Sequence, residues 1–288
     1  IESDKRRLFL RFAACFGQFL MSHDMTISYK NLPLKMMEMT RYSFRKEQRG
    51  ELVGLRRLRS FTMPDIHFFT KTEEESRDKI EELCYNFNDM LKEIMGDKWV
   101  LGWEIVEDYW KKHKDYFIRI SKKMEAPTLI KLMPEMIHYY AFKNEFQAIG
   151  LDGANAQVST LQLDVKDGER FDINYLDEEG EKKPCYIIHT APIGSLERAL
   201  YLVLENTVYQ EKRGKAPMLP LWLSPEQVRV IPVSEDHLSF AKKVADEIES
   251  HEVRVGVDDR DESVGKKVFD AKTNWIPYII VVGDKEVG

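Results

Sequence analysis

The chain has 288 residues, 43% of them hydrophobic and 11% aromatic, which suits about two globular domains and excludes a disordered or low-complexity polymer. Charges interrupt every apolar run before the roughly 18 residues needed to span a bilayer, and the charged opening Ile1-Glu2-Ser3-Asp4-Lys5-Arg6-Arg7 is not a signal peptide, so no membrane association is expected. The three cysteines, Cys15, Cys84 and Cys185, are too few and too scattered for a disulfide framework and point to a reducing, cytoplasmic setting.

The formal net charge is −6, but the average conceals a basic segment. Arg41, Arg45, Lys46, Arg49, Arg56, Arg57 and Arg59 lie within 41–59, against only Glu47 and Glu51. A concentrated positive patch on an acidic chain indicates a specific anionic ligand rather than general affinity for polyanions.

In chain order, Leu8, Phe12, Cys15, Phe16 and Phe19 predict a helix over 4–22. Strands over 34–45 and 57–69 flank turn signals at Gln48–Gly54 and make a long antiparallel hairpin. Thr72 caps a helix that opens on Glu73-Glu74-Glu75, runs to Met95 and stops at Gly96. A strand over 99–106 and a helix over 107–124 follow. Residues 127–190 read mostly as strands, at 127–132, 142–149, 156–165, 170–176 and 184–190, before a helix over 195–210. Gly214, Pro217, Pro220 and Pro225 mark a domain boundary, giving domains 1–222 and 223–288. Beyond it, strands at 228–233, 253–257 and 277–283 alternate with helices at 236–249 and 263–273, the pattern of a small α/β domain with a parallel sheet.

The hairpin carries Arg45 and Glu47 on one strand face, and Arg57 and Arg59 on one face of the return strand. Fixed guanidinium forks on a sheet can grip a triphosphate and stabilise charge during displacement at phosphorus. From the residues alone, that role and a solvated, salt-bridged hairpin both stay open.

The string Phe44-Arg45-Lys46-Glu47 … Gly54-Leu55-Arg56-Arg57-Leu58-Arg59-Ser60-Phe61 resembles motif 2 of class II aminoacyl-tRNA synthetases. Gly194-Ser195-Leu196-Glu197-Arg198, opening an apolar helix, resembles motif 3. The resemblance implies an α+β fold: a mixed, mostly antiparallel sheet flanked by helices, followed by a small α/β anticodon-binding domain. It also implies that Arg45 holds the α-phosphate and the amino-acid carboxylate, and that Glu47 reads adenine. Arg57 and Arg198 would hold the outer phosphates, Phe61 would stack on the base, and Gln157 would contact ATP. Catalysis would fall to Arg45, Arg198 and Lys143, with Mg2+ accompanying ATP.

Cys15, His67 and His189 share no local metal signature and by spacing alone read as core residues. Threonyl-tRNA synthetases, however, place a Cys and two His at these points relative to motifs 2 and 3 to bind one Zn2+, and this chain is similar to them in archaeal style. The resemblance implies a zinc site with an open position for threonine's amino group and hydroxyl, which valine cannot fill. It further assigns Asp65 to the substrate ammonium, and Tyr140 and Gln162 to the amino-acid pocket. The expected function is a threonine-tRNA ligase using ATP, threonine and tRNA(Thr), homodimeric when whole. The rivals are a prolyl or glycyl synthetase, and a non-catalytic tRNA-binding relative. Motif 1 and an N-terminal editing domain are expected to precede Ile1, and the rest of the anticodon domain to follow Gly288.

Overall fold

The structure is a computed structural model that describes residues 2–3, 6–7, 13, 15–43 and 47–288. The chain forms two compact units, Ile1–Glu205 and Asn206–Gly288.

The first unit opens with two short antiparallel strands, β1 (Glu2–Ser3) and β2 (Arg6–Arg7), and then helix α1 (Phe16–His23). The helix expected over 4–22 is thus corrected. Arg6 and Arg7 pair as strand, and the helix starts only after Cys15; residues 8–12 and 14 lie outside the described set. Cys15 and Phe19 instead belong to a buried cluster with Ile27, Phe69, Ile173 and Ile187. Tertiary packing, not a long helical stripe, accounts for their apolar character.

Strand β3 (Ile27–Ser28) precedes the hairpin of β4 (Leu34–Tyr42) and β5 (Phe61–Thr70), paired antiparallel from Leu34–Phe69 to Tyr42–Phe61. The return strand starts later than expected, because residues 57–60 stay in the connection, where a single bridge joins Val53 to Arg57. Arg57 and Arg59 therefore do not share a strand face. Helix α2 (Glu73–Met95) begins as its sequence dictates: Thr72 Oγ1 accepts from the Glu75 N–H at 3.1 Å, and Gly96 ends it at φ 64°. Its buried residues Ile80, Cys84, Phe87, Leu91 and Ile94 recur every three or four positions and pack against the sheet.

Strand β6 (Trp99–Val106) leads into α3 (Glu107–Met124), whose Phe117 meets Trp103 and Phe142 at centroid distances of 5.1 Å each. There follow β7 (Thr128–Met133), β8 (Tyr140–Ile149), β9 (Asn155–Asp164), the single turn α4 (Asp167–Arg170), β10 (Asn174–Leu176), β11 (Lys182–Pro184) and β12 (Tyr186–Ala191). Seven strands join in the order β4-β5-β12-β9-β8-β6-β7, antiparallel except for β6 beside β7. A smaller sheet has the order β11-β10-β3. The strand expected over 170–176 is shortened by α4, because a Cβ at Gly168 would overlap the Cys185 carbonyl oxygen and only glycine lets this turn pack so closely. Helix α5 (Leu196–Glu211) follows.

The second unit alternates β13 (Val228–Pro232), α6 (Leu238–Glu249), β14 (Val255–Val257), α7 (Val264–Thr273), β15 (Tyr278–Val282) and the short α8 (Asp284–Val287). Its three strands are parallel in the order β14-β13-β15, over a core of Val228, Val230, Ala241, Ala245 and Val282. Among the described residues no helix is long and apolar enough to cross a membrane.

Asp258, with a side chain only 3% exposed, accepts from Arg260 at 2.8 and 2.7 Å, and Arg260 reaches Asp270 at 3.0 Å. Hydrogen bonding from Arg260 holds the Asp258 carboxyl below its ordinary range. A carboxyl depressed on folding contributes stability above its unfolded pKa of about 3.9, and that stability is lost as the pH falls through the folded value. Asp258→Asn is therefore expected to flatten the acid limb of unfolding of this unit below about pH 4. An unchanged acid limb by circular dichroism contradicts the assignment.

Candidate functional site

One register decides where the polar residues of the large sheet meet. Met36, His67, His189, Gln162, Lys143, Glu104 and Lys131 are successive cross-strand partners through all seven strands. Directly paired residues project from the same side of a sheet, so one lateral row gathers both imidazoles, an amide and three charges on one face.

The imidazoles converge. His67 Nε2 and His189 Nδ1 lie 3.0 Å apart, and Cys15 Sγ joins them, the three atoms all within 4.8 Å of one another. The far nitrogens are both committed. His67 Nδ1 is 2.9 Å from Gln18 Oε1, which can only accept, so Nδ1 carries the hydrogen. Gln18 is itself oriented by its Nε2 donating to the Asp65 carbonyl at 3.4 Å. His189 Nε2 donates to Asp164 Oδ2 at 2.8 Å. With both neutral tautomers fixed this way, the facing nitrogens present two lone pairs to each other. A proton or a cation must lie between them. Protonation is disfavoured at His67, which is fully buried and whose pKa is pushed well below its usual value by that burial and by His189. Burial, with Asp65 and Asp167 close by, pushes the Cys15 thiol up to about 12. That thiol ionises at neutral pH only beside a cation. Cys15, His67 and His189 are thus a donor set of one thiolate sulfur and two imidazole nitrogens, which suits a zinc-like ion with an open position. Asp164 and Asp167 also approach His189, but Asp164 Oδ1 is taken by the N–H groups of Lys166 and Asp167, and Asp167 pairs with Arg170.

A cavity of about 710 Å³ opens along the same face. Glu47, Arg57, Phe61, Gln157, Gln162 and Arg198 all line it. Arg57 Nε holds Glu47 Oε2 at 3.0 Å, and Arg59 Nε donates to the Glu47 carbonyl at 3.2 Å. Arg56 is tied to Asp152 at 2.8 Å. Arg198 donates to two main-chain carbonyls, Gln157 at 2.8 Å and Arg56 at 3.2 Å, while Glu205 is engaged by the Leu151 N–H. Burial and the charges of Arg56 and Arg57 lower the Arg198 pKa. A half-buried guanidinium held on carbonyls and facing two others favours an anionic ligand. Glu197 ties this corner to the hairpin by accepting from the Thr62 N–H at 3.0 and 2.9 Å.

These features decide the family. A model of the tRNA synthetase class II core domain (G, H, P, S and T) matches residues 1–207, and one of an anticodon binding domain matches 227–288. The chain belongs to the class II tRNA synthetases. It is 47% identical to a threonine–tRNA ligase of Methanosarcina mazei over 290 residues, covering all of this chain and 45% of that protein. A threonine–tRNA ligase of Pyrococcus furiosus is 49% identical, covering 99% of this chain and 46% of its own length. The chain therefore spans a little under half of the curated relatives it matches. A solved structure described as the RNA binding domain of threonyl-tRNA synthetase from Cryptosporidium parvum superposes with a TM-score of 0.78 at 25% identity, covering 100% of this chain and 71% of that one. Prolyl-tRNA synthetase from the same organism, with a TM-score of 0.65 at 17% identity over 94% of this chain and 50% of its own, shares the fold.

Within this synthetase core, Arg45 lies outside the described residues. Asp65 stands two residues from His67 on β5, its carboxyl pushed up to about 6 by burial, with Glu38 raising it further and His189 opposing. Tyr140 and Lys143 are not brought to the cavity wall. The Tyr140 hydroxyl donates to Glu104 Oε2 at 3.0 Å, and Lys143 sits 2.6 Å from Glu145 and 3.5 Å from Glu104. A bulge between Tyr140 and Phe142 is what lets both reach Glu104 despite their odd spacing. The sequence reading missed Gln18, Asp164 and Tyr139, whose roles depend on which nitrogen or amide oxygen they meet, and only a register signal could have found them.

Gly194, at φ 61°, begins the turn into α5, and a Cβ there would overlap the Val158 carbonyl. Gly194→Ala is expected to lower stability by about 2–4 kcal/mol and to displace Arg198. A urea midpoint unchanged from the native protein contradicts this.

Proposed function

We propose that this chain is the catalytic and anticodon-binding part, 1–222 and 223–288, of a cytoplasmic threonine-tRNA ligase that works as a homodimer. The observation that carries the threonine reading is the pair of facing lone pairs on His67 and His189, joined by Cys15, on the same sheet face as an arginine-lined cavity.

ATP would occupy the cavity, Phe61 stacking on adenine and the Glu47 carboxylate accepting from its amino group. Arg57, Arg198 and Arg45 would bind the phosphates, with magnesium entering on the nucleotide. Gln157 lines the same wall and would contact the ribose or phosphates. Zinc held by Cys15, His67 and His189 would offer an open coordination position to threonine's amino group and hydroxyl. Asp65, largely ionised at pH 7.5, would accept a hydrogen bond from the substrate's amino group, while Gln162 and, outside the cavity wall, Tyr140 would complete the amino-acid side. The threonine carboxylate then attacks the α-phosphorus and pyrophosphate leaves; the tRNA(Thr) terminal ribose hydroxyl next takes the acyl group from the adenylate, and AMP leaves. The protein contributes position and fixed charge: no side chain here has to act as nucleophile. Lys143, beside Gln162 in the lateral row but held by Glu104 and Glu145, would reach the phosphates only by leaving those carboxylates.

Glu47, Arg57, Phe61 and Arg198 around one cavity argue against a non-catalytic relative. The Cys/His/His set argues against a prolyl or glycyl specificity.

Threonine-dependent ATP–pyrophosphate exchange tests the reading. Exchange should be strong with threonine, weak with valine and measurable with serine, since serine keeps the hydroxyl. Arg198→Ala should lower kcat/KM by about 100-fold or more, by analogy with loss of one charge-stabilising donor. Equal exchange with valine contradicts the assignment. Gln18→Leu removes the acceptor of His67 Nδ1 and should weaken zinc binding by about 10–100-fold in a chelator competition.

A further inference from the structure

Tyr139 touches both halves of the site. It lies just before β8, its carbonyl accepting from the Val165 N–H at 3.2 Å, next to Asp164 in sequence. Its ring stands 4.7 Å from the His189 ring, tilted by 34°. Its hydroxyl lies 2.6 Å from Gln162 Oε1. Gln162 is the direct cross-strand partner of His189 and lines the cavity.

The hydrogen in the Tyr139–Gln162 contact can come only from the phenol, because an amide oxygen has none. Oε1 therefore accepts in this orientation; a turned amide could still donate to the phenol oxygen, but it would set its own oxygen against Thr160 Oγ1, whose hydrogen goes to the Asn144 carbonyl at 3.3 Å. What Gln162 has left is its NH2, whose one contact among the described residues is Thr160 Oγ1 at 3.5 Å, at the limit of a hydrogen bond. The cavity wall beside His189 is consequently a fixed N–H donor. Such a donor rewards a ligand oxygen and gains nothing from a methyl group, and a ligand without that oxygen leaves the donor unpaired.

We propose that Tyr139 is a specificity-determining positioning residue: its hydroxyl fixes the direction of the Gln162 amide, so that the NH2 reads the hydroxyl oxygen of the bound amino acid. This rests on the threonine reading and goes beyond it by naming what sets the polarity of the pocket wall. Tyr139 acts through Gln162 and touches no reacting atom.

Tyr139→Phe keeps the ring against His189 and removes only the hydroxyl. In the zinc-loaded enzyme, the KM for threonine should rise about five- to tenfold, the loss of one oriented hydrogen bond. The preference for threonine over valine should fall by the same factor. The kcat, the KM for ATP and the zinc content should stay within about twofold of the native values. On a Gln162→Ala background the Tyr139→Phe change should add nothing, because the effect passes through that amide. An unchanged KM for threonine, additive effects in the double variant, or loss of zinc from Tyr139→Phe each overturn the proposal. Failure of threonine exchange in the native protein overturns the threonine reading itself. A normal native protein with an indifferent Tyr139→Phe variant overturns the Tyr139 assignment alone.

Discussion

The pairing of β5 with β12, which sets His67 opposite His189, is the constraint on which the site depends. A shift of one residue would send one imidazole to the other face of the sheet, leaving a lone buried histidine on each side. The register is held by apolar packing directly beside the site. Phe69 and Ile187 are fully buried and directly paired two residues along, within the cluster that also contains Cys15 and Phe19. The same apolar cluster thus fixes the strand register and delivers the thiol to the imidazoles.

Orientation comes from a second set of contacts. Gln18 and Asp164 each hold one outer nitrogen, which fixes both tautomers and turns two lone pairs inward. Asp164 is held in turn by two main-chain N–H groups at the start of α4, and Gln18 by the Asp65 carbonyl. Tyr139 extends this pattern to the neighbouring amide, packing on His189 while donating to Gln162. A buried polar network of this kind is stable only when each member is satisfied, and a cation placed between the facing lone pairs would complete it.

Much of the fold was legible in the sequence because local chemistry and tertiary structure agree. The cap at Thr72, the acidic first turn and Gly96 bound α2 as expected, and the alternation after Pro225 became a parallel sheet with helices. Where they disagree, the sequence misleads. Cys15, Phe16 and Phe19 look like part of a long helix over 4–22, yet α1 covers only Phe16–His23. Arg57 and Arg59 look like alternate residues of a strand, but both stay in the connection and hold Glu47. Of the residues that the resemblance singles out, Glu47, Arg57, Phe61, Gln157, Gln162 and Arg198 line one cavity, and Tyr140 and Lys143 do not. Tyr139, Gln18 and Asp164 were illegible because their importance lies in which atom faces which, something that neither spacing nor composition carries.

The decisive measurement is X-ray absorption at the zinc edge of the metal-loaded protein. One zinc bound by one sulfur and two imidazole nitrogens is expected, with the light-atom shell gaining ligands when threonine is added and unchanged by valine. A metal bound by a different donor set, or a spectrum that responds alike to both amino acids, would contradict a zinc-based reading of threonine.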